Sequence, residues 1–124
     1  MTLDELVEQH VWGEVKVEID GAVIDFVVFP WKQVEEREDD GGSNVWEYFI
    51  GWDGEVHDAV KRGEYVPFGA GNMYAGALKY DGGFQEMGHR GMLFADANGS
   101  VIYYDHNEGG PPKVVATSLD ALVS

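Results

Sequence analysis

The 124 residues carry 8 lysines and arginines against 23 aspartates and glutamates, a net charge of −15 with a pI near 4.3. A field of that sign repels phosphate backbones and anionic lipid headgroups, so nucleic acid and membrane surfaces are disfavoured as partners and basic proteins are favoured. With 44% hydrophobic residues, 13% aromatics and no cysteine, the chain has the material for one domain with its own core, and disulfides, thiolate metal sites and a cysteine nucleophile are excluded.

The first ten residues, MTLDELVEQH, are acidic and lack an apolar core, so no secretory signal is visible. No uncharged apolar run approaches the ~20 residues that span a bilayer, and a cytoplasmic protein is expected. Thr2 through Gln9 reads as a short helix: Thr2 and Glu5 fit a capping box, and Leu3, Leu6 and Val7 share one face. Gly13 ends it. Residues 14–29, EVKVEIDGAVIDFVVF, alternate as a hairpin turning at Asp20-Gly21. The inferred register sets Ile19 by Ala22, Val17 by Ile24 and Val15 by Phe26 on one apolar face, with Lys16 across from Asp25. A one-residue slip would bury Glu14, Lys16 and Glu18 instead.

Pro30 ends the second strand. The acidic segment 33–44, QVEEREDDGGSN, contains Glu35, Glu36, Glu38, Asp39 and Asp40, which cannot all be buried, so a solvated loop or helix end is expected. Val45 to Trp52, VWEYFIGW, is the most aromatic stretch and reads as a strand with Trp46, Tyr48 and Ile50 on one face. Asp53 can cap a helix from about Glu55 to Arg62, with Val56, Ala59 and Val60 inward and Gly63 just beyond its end. Asn72 to Asp81 alternates as a further strand, Asp81-Gly82-Gly83 turns the chain, and Gln85 to Arg90 is an irregular loop.

The last third is the most informative. Asn98-Gly99 between two apolar runs signals a tight hairpin, and pairing outward from it sets Asp96 opposite Val101, Ala95 opposite Ile102, Phe94 opposite Tyr103 and Leu93 opposite Tyr104. Both faces of that ribbon are largely apolar, so it needs cover. A polar Gly/Pro loop and a short strand follow. Thr117 or Ser118 can then N-cap a helix carrying Leu119, Leu122 and Val123, the expected cover. The whole of 1–124 therefore reads as a single α+β domain, with a mostly antiparallel twisted sheet of five to seven strands and two or three short helices.

Pro67-Phe68, the small-residue run Asn72 to Tyr80, the apolar strand Val101 to His106 ending in Tyr-Asp-His, and the closing Ser118 to Leu122 helix form a series over the second half of the chain. In this series the chain resembles the SUKH superfamily of bacterial toxin-immunity proteins and fungal cell-wall-synthesis regulators. The first half departs from that pattern: the family's opening helix, short Pro-containing segment and Asn-Gly-Gly turn are not found. The resemblance implies an immunity protein that neutralises a cognate toxin by direct binding.

The residues themselves offer little catalysis. His10, His57, His89 and His106 are scattered without H-x-x-x-H spacing. Asp105-His106-Asn107-Glu108 is the one polar cluster with metal or acid–base potential, yet strand neighbours point to opposite faces. Gly69-Ala70-Gly71-Asn72 and Gly82-Gly83 lack the Lys and Ser/Thr of a phosphate-binding loop. Asp96-Ala97-Asn98-Gly99 lacks the bidentate glutamate of a calcium loop. No catalytic residues, metal or cofactor are assigned, and a binding protein is the leading expectation, its partner a basic toxin such as a nuclease. The expected contact surface combines exposed members of Trp31, Trp46 and Trp52 with Glu35, Glu36, Glu38, Asp39, Asp40, Asp53 and Glu55. The alternatives are a regulatory scaffold binding a peptide or signalling partner, and a small metal-dependent hydrolase using Asp105, His106 and His89.

Overall fold

The capping box at Thr2 forms: its hydroxyl accepts from the Glu5 N–H at 3.2 Å, and the Glu5 carboxylate accepts from the Thr2 N–H at 3.0 Å. Helix α1 (Leu3–His10) follows, with Leu6 fully buried. The computed structural model describes residues 1–38, 41–71, 91–105, 108 and 110–123. Strands β1 (Glu14–Ile19) and β2 (Ala22–Val28) pair in the register that charge and alternation demand, Val15 with Phe26 and Lys16 with Asp25. The Lys16 ammonium donates to Asp25 at 2.8 Å. Asp20 and Gly21 both take positive φ, 52° and 85°, which a two-residue turn of this hand requires.

Three short helices come next: α2 (Trp31–Glu35), α3 (Glu47–Ile50) and α4 (Glu55–Lys61). They lead into β3 (Val66–Gly71), β4 (Met92–Ala95), β5 (Val101–Tyr104), β6 (Lys113–Ala116) and α5 (Leu119–Val123). The six strands of the described residues lie in sequence order and every neighbouring pair is antiparallel. Strands β1 and β6, at opposite ends of that order, touch each other, so the sheet curls. The Lys113 ammonium closes the seam by donating to Asp20 at 2.8 Å. This is an α+β domain with an antiparallel curled sheet, and no described helix is long and apolar enough to cross a membrane.

Two cores result. Inside the curl, Phe26, Phe68, Leu93 and Val101 pack with Leu6 of α1 and Leu119 of α5. On the outer face, Ala70, Met92, Phe94 and Ile102 pack under Val34, Phe49, Val56 and Val60 of α2 to α4. Helix α5, capped by the Ser118 hydroxyl accepting from the Ala121 N–H at 3.2 Å, covers the inner face as expected. The outer face is covered by the middle helices.

Three expectations are corrected, and one strand is found where no element was expected. The β4–β5 ribbon pairs one residue out of the inferred register: Ala95 faces Val101, Phe94 faces Ile102 and Leu93 faces Tyr103. The cause is the turn. Asp96 Oδ1 accepts from the N–H groups of Asn98 and Ser100 at 3.0 and 2.9 Å, and only Gly99 takes positive φ, 80°. That is a three-residue loop closed by a left-handed glycine, not a two-residue turn. Residues 45–52 do not form a strand. Trp46, Phe49 and Ile50 are buried while Tyr48 is exposed, a helical spacing that puts α3 there. Gly54, not Asp53, stands at the N-cap of α4, without a side-chain cap. The Pro67-Phe68 segment is itself a strand, tolerated because the β3–β4 register shifts between Pro67 and Gly69, and proline fits a sheet at such irregularities. The strand expected at Asn72 to Asp81, the turn Asp81-Gly82-Gly83, the loop Gln85 to Arg90, and Asp39, Asp40, His89, His106 and Asn107 lie outside the described residues.

Two predictions follow from this packing. Asp96→Ala removes the acceptor of two backbone N–H groups and should lower the unfolding free energy by about 1–2 kcal/mol in a urea titration; an unchanged midpoint would refute the turn assignment. The Tyr103 hydroxyl is pushed up to about 12, first by burial and then by Asp105, Glu108 and Asp20. An unfolded tyrosine ionises near ~10, so the stability that native Tyr103 contributes is complete below that pH and is lost as pH climbs towards its native value. Tyr103→Phe should therefore lose less stability over the alkaline range than the parent, as read by circular dichroism; parallel curves would contradict this.

Candidate binding site

The exposed side of α3 and the start of α4 combine aromatic surface with unpaired acid. A helix as short as α3 is marginal in isolation, and its hold on the domain comes from one side. Trp46, Phe49 and Ile50 are all buried to within 4% of full. Trp46 meets Trp31 edge-on at 5.7 Å and stacks on His57 at 5.2 Å and 25°. His57 Nε2 lies 2.8 Å from Glu47 Oε2, and the other Glu47 oxygen accepts from the Asn44 amide at 3.2 Å. This set, buried at Trp46 and His57 and half-buried at Glu47, binds α3 to α4. His57 Nδ1 stands 3.7 Å from Asp58 Oδ1, too far for a hydrogen bond, and has no hydrogen-bond partner among the described residues.

With 46, 49 and 50 inward, position 48 must point out. Tyr48 is 43% exposed and Trp52 is 52% exposed, and their rings meet edge-to-face at 4.9 Å. Gly51 makes this possible: it ends α3 at φ 114°, a backbone open to glycine and rarely to other residues, and turns Trp52 back beside Tyr48. Asp53 and Glu55 follow directly, both exposed. An aromatic pair with a polar rim is the composition of an interface anchor.

The second acidic group ends α2. Glu35, Glu36 and Glu38 are exposed. An isolated bridge between Glu38 and Asn44, with the Val45 N–H donating to the Arg37 carbonyl at 3.0 Å, ties the end of this group to the approach to α3. Glu35 also lines a cleft of about 180 Å³ with Trp31, Asn44, Trp46 and Lys61, which joins the end of α2 to the α3–α4 unit. Among the described residues, Glu35, Glu36, Glu38, Asp53 and Glu55 make no ion pair, whereas Lys16, Arg62 and Lys113 are each held by a carboxylate at 2.8 Å. With Lys61 lining the same cleft as Glu35, the surface charge here is still acidic in balance.

The structure thus brings Trp52, Asp53 and Glu55 together and places Glu35 on an adjoining cleft, but it removes Trp46 from the contact surface. At 4% exposure Trp46 is a core residue, because the indole at the N-cap of the four-residue α3 packs between Trp31 and His57 and anchors it. Trp31 is half-buried against it. Sequence reasoning missed Tyr48, the ring partner of Trp52, and the Glu47–His57 pair; the 46/49/50 spacing was the available signal. Among the described residues no three His, Asp or Glu side chains are grouped to hold a metal ion. Asp105 is buried and engaged within the fold.

The two tryptophans should separate cleanly. Trp46→Ala should cost about 3–5 kcal/mol of stability, the range for truncating a large buried aromatic. Trp52→Ala should cost less than about 1 kcal/mol, as for an exposed side chain. Urea unfolding checks both, and equal losses would mean that Trp52 is structural.

Comparison with models of protein families, with curated proteins and with solved structures finds no match for this chain.

Proposed function

We propose that this chain is a non-catalytic binding protein that neutralises a basic protein toxin, in the manner of the bacterial immunity proteins it resembles in its second half, and that it does so in the cytoplasm. The observation that carries the reading is the exposed Tyr48–Trp52 pair, flanked by the exposed Asp53 and Glu55 on a molecule of net charge −15. Charge of this density accelerates encounter with a basic surface. A nuclease groove built to hold phosphates is one such surface, and an acidic protein can occupy or mask it. Encounter alone does not hold a complex together. Desolvated aromatic anchors supply most of the affinity at typical interfaces, and Tyr48 and Trp52 present that surface already paired. The acidic group of Glu35, Glu36 and Glu38, with Asp39 and Asp40, acts as the steering rim.

The test is association and dissociation kinetics with a toxin encoded next to this chain, at low salt and at about 0.15 M, where screening shortens to about 8 Å. The association rate should fall markedly with salt. Neutralising Glu35, Glu36, Glu38, Asp39 and Asp40 together should slow association more than it speeds dissociation, because rim charges act mainly on encounter. Trp52→Ala should instead speed dissociation by about 30-fold, the equivalent of the ~2 kcal/mol typical of a hot spot. A salt-insensitive association rate, or a folded Trp52→Ala protein that binds like the parent, would overturn the proposal.

A further inference from the structure

A second surface lies away from the α3–α4 face. Leu3 and Val7 of α1, Pro30 and Trp31 where β2 hands over to α2, and Val66 and Pro67 at the start of β3 wall an apolar groove of about 240 Å³. We infer that this groove docks a protein segment presenting a large apolar side chain next to a lysine or arginine.

Three observations carry the inference. The first is size and lining. An apolar cavity of roughly 150 Å³ holds a benzene molecule, so this groove has room for a phenylalanine- or leucine-sized side chain. Two prolines face it, and neither has a backbone N–H to offer a polar ligand. The second is preorganisation. The Trp12 N–H donates to the Val28 carbonyl at 2.7 Å, and the Val28 N–H donates to the Gly13 carbonyl at 2.9 Å, fixing the end of α1 against β2. The Phe29 N–H donates to the Phe68 carbonyl at 2.9 Å, fixing the start of α2 against β3. The walls are therefore set before any ligand arrives, which lowers the entropic cost of docking.

The third is charge. Asp4 and Glu8 stand one helical turn apart on α1 along the groove, both exposed and without an ion pair among the described residues. Lys32 is the cation among the lining residues. The rim keeps a negative balance on a strongly acidic molecule, so it selects a basic neighbour for the apolar side chain and disfavours an acidic one. None of Tyr48, Trp52, Asp53 or Glu55 lines the groove, and the inference stands apart from the toxin reading.

The test uses the full, isotopically labelled chain and three capped hexapeptides: Lys-Lys-Phe-Leu-Lys-Lys, Glu-Glu-Phe-Leu-Glu-Glu and Lys-Lys-Gly-Gly-Lys-Lys. At low salt the first should shift the backbone resonances of Leu3, Val7 and Val66 and the Trp31 indole, and the other two should not. Replacing Asp4 with Asn and Glu8 with Gln together should weaken that binding by about three- to tenfold without moving the unfolding transition. Equal binding of the acidic peptide would overturn the charge argument, and equal binding of the glycine peptide would overturn the apolar one. Shifts confined to other surfaces, or none at millimolar peptide, would remove the site. Groove resonances that move with protein concentration alone would assign the groove to a second copy of the chain instead.

Discussion

Strand β4 sets the constraint on which the rest of the structure depends. All four of its residues, Met92 to Ala95, are buried, with Met92 and Phe94 on one face of the sheet and Leu93 and Ala95 on the other. A strand buried on both sides obliges the chain to cover both faces of the sheet, and the described helices that do so are short. The sheet answers on one side by curling until β1 and β6 meet, so that α1 and α5 need only fill what remains. On the other side it takes α2, α3 and α4 in succession. Each offers a narrow apolar stripe, and what is left over faces solvent. Tyr48, Trp52, Asp53 and Glu55 are that remainder, and their arrangement is a consequence of how the outer core is roofed.

The roof is held by a few dense contacts. Trp46 touches Trp31 and His57, and His57 faces Glu47, so α2, α3 and α4 meet around a single indole. Trp31 also lines both the cleft beside Glu35 and the apolar groove against α1. Acidic residues are spread over the remaining exterior, where few cations oppose them.

How much of this was legible in the sequence depended on whether one pattern or two were written into a segment. The β1–β2 hairpin alternates charged and apolar residues, so a single register buries Val15, Val17 and Ile19, and that register is the one observed. The β4–β5 ribbon is apolar on both faces, so alternation could not choose between neighbouring registers. The choice fell to the Asp96 side chain and its bonds to Asn98 and Ser100. Residues 45–52 satisfy a period of two through Trp46, Tyr48 and Ile50 and a helical spacing through Trp46, Phe49 and Ile50; burial selects the second. Proline disguised β3. At the site, the exposure of the carboxylates followed from charge alone. The division of labour between Trp46 and Trp52 did not, because an indole serves equally as core or as anchor until its neighbours are known.

The central claim is that the exposed face of α3 and the turn into α4 is where a partner sits. Amide hydrogen exchange of the chain, free and in complex with a toxin encoded beside it, tests this most directly. The account predicts slowed exchange on complex formation at Trp52 to Glu55, in an exposed turn whose backbone would otherwise exchange fast, with the Asp20-Gly21 turn unchanged. A complex whose protection falls on the β1–β2 turn or the β6 edge, while Trp52 to Glu55 exchange as in the free chain, would contradict it.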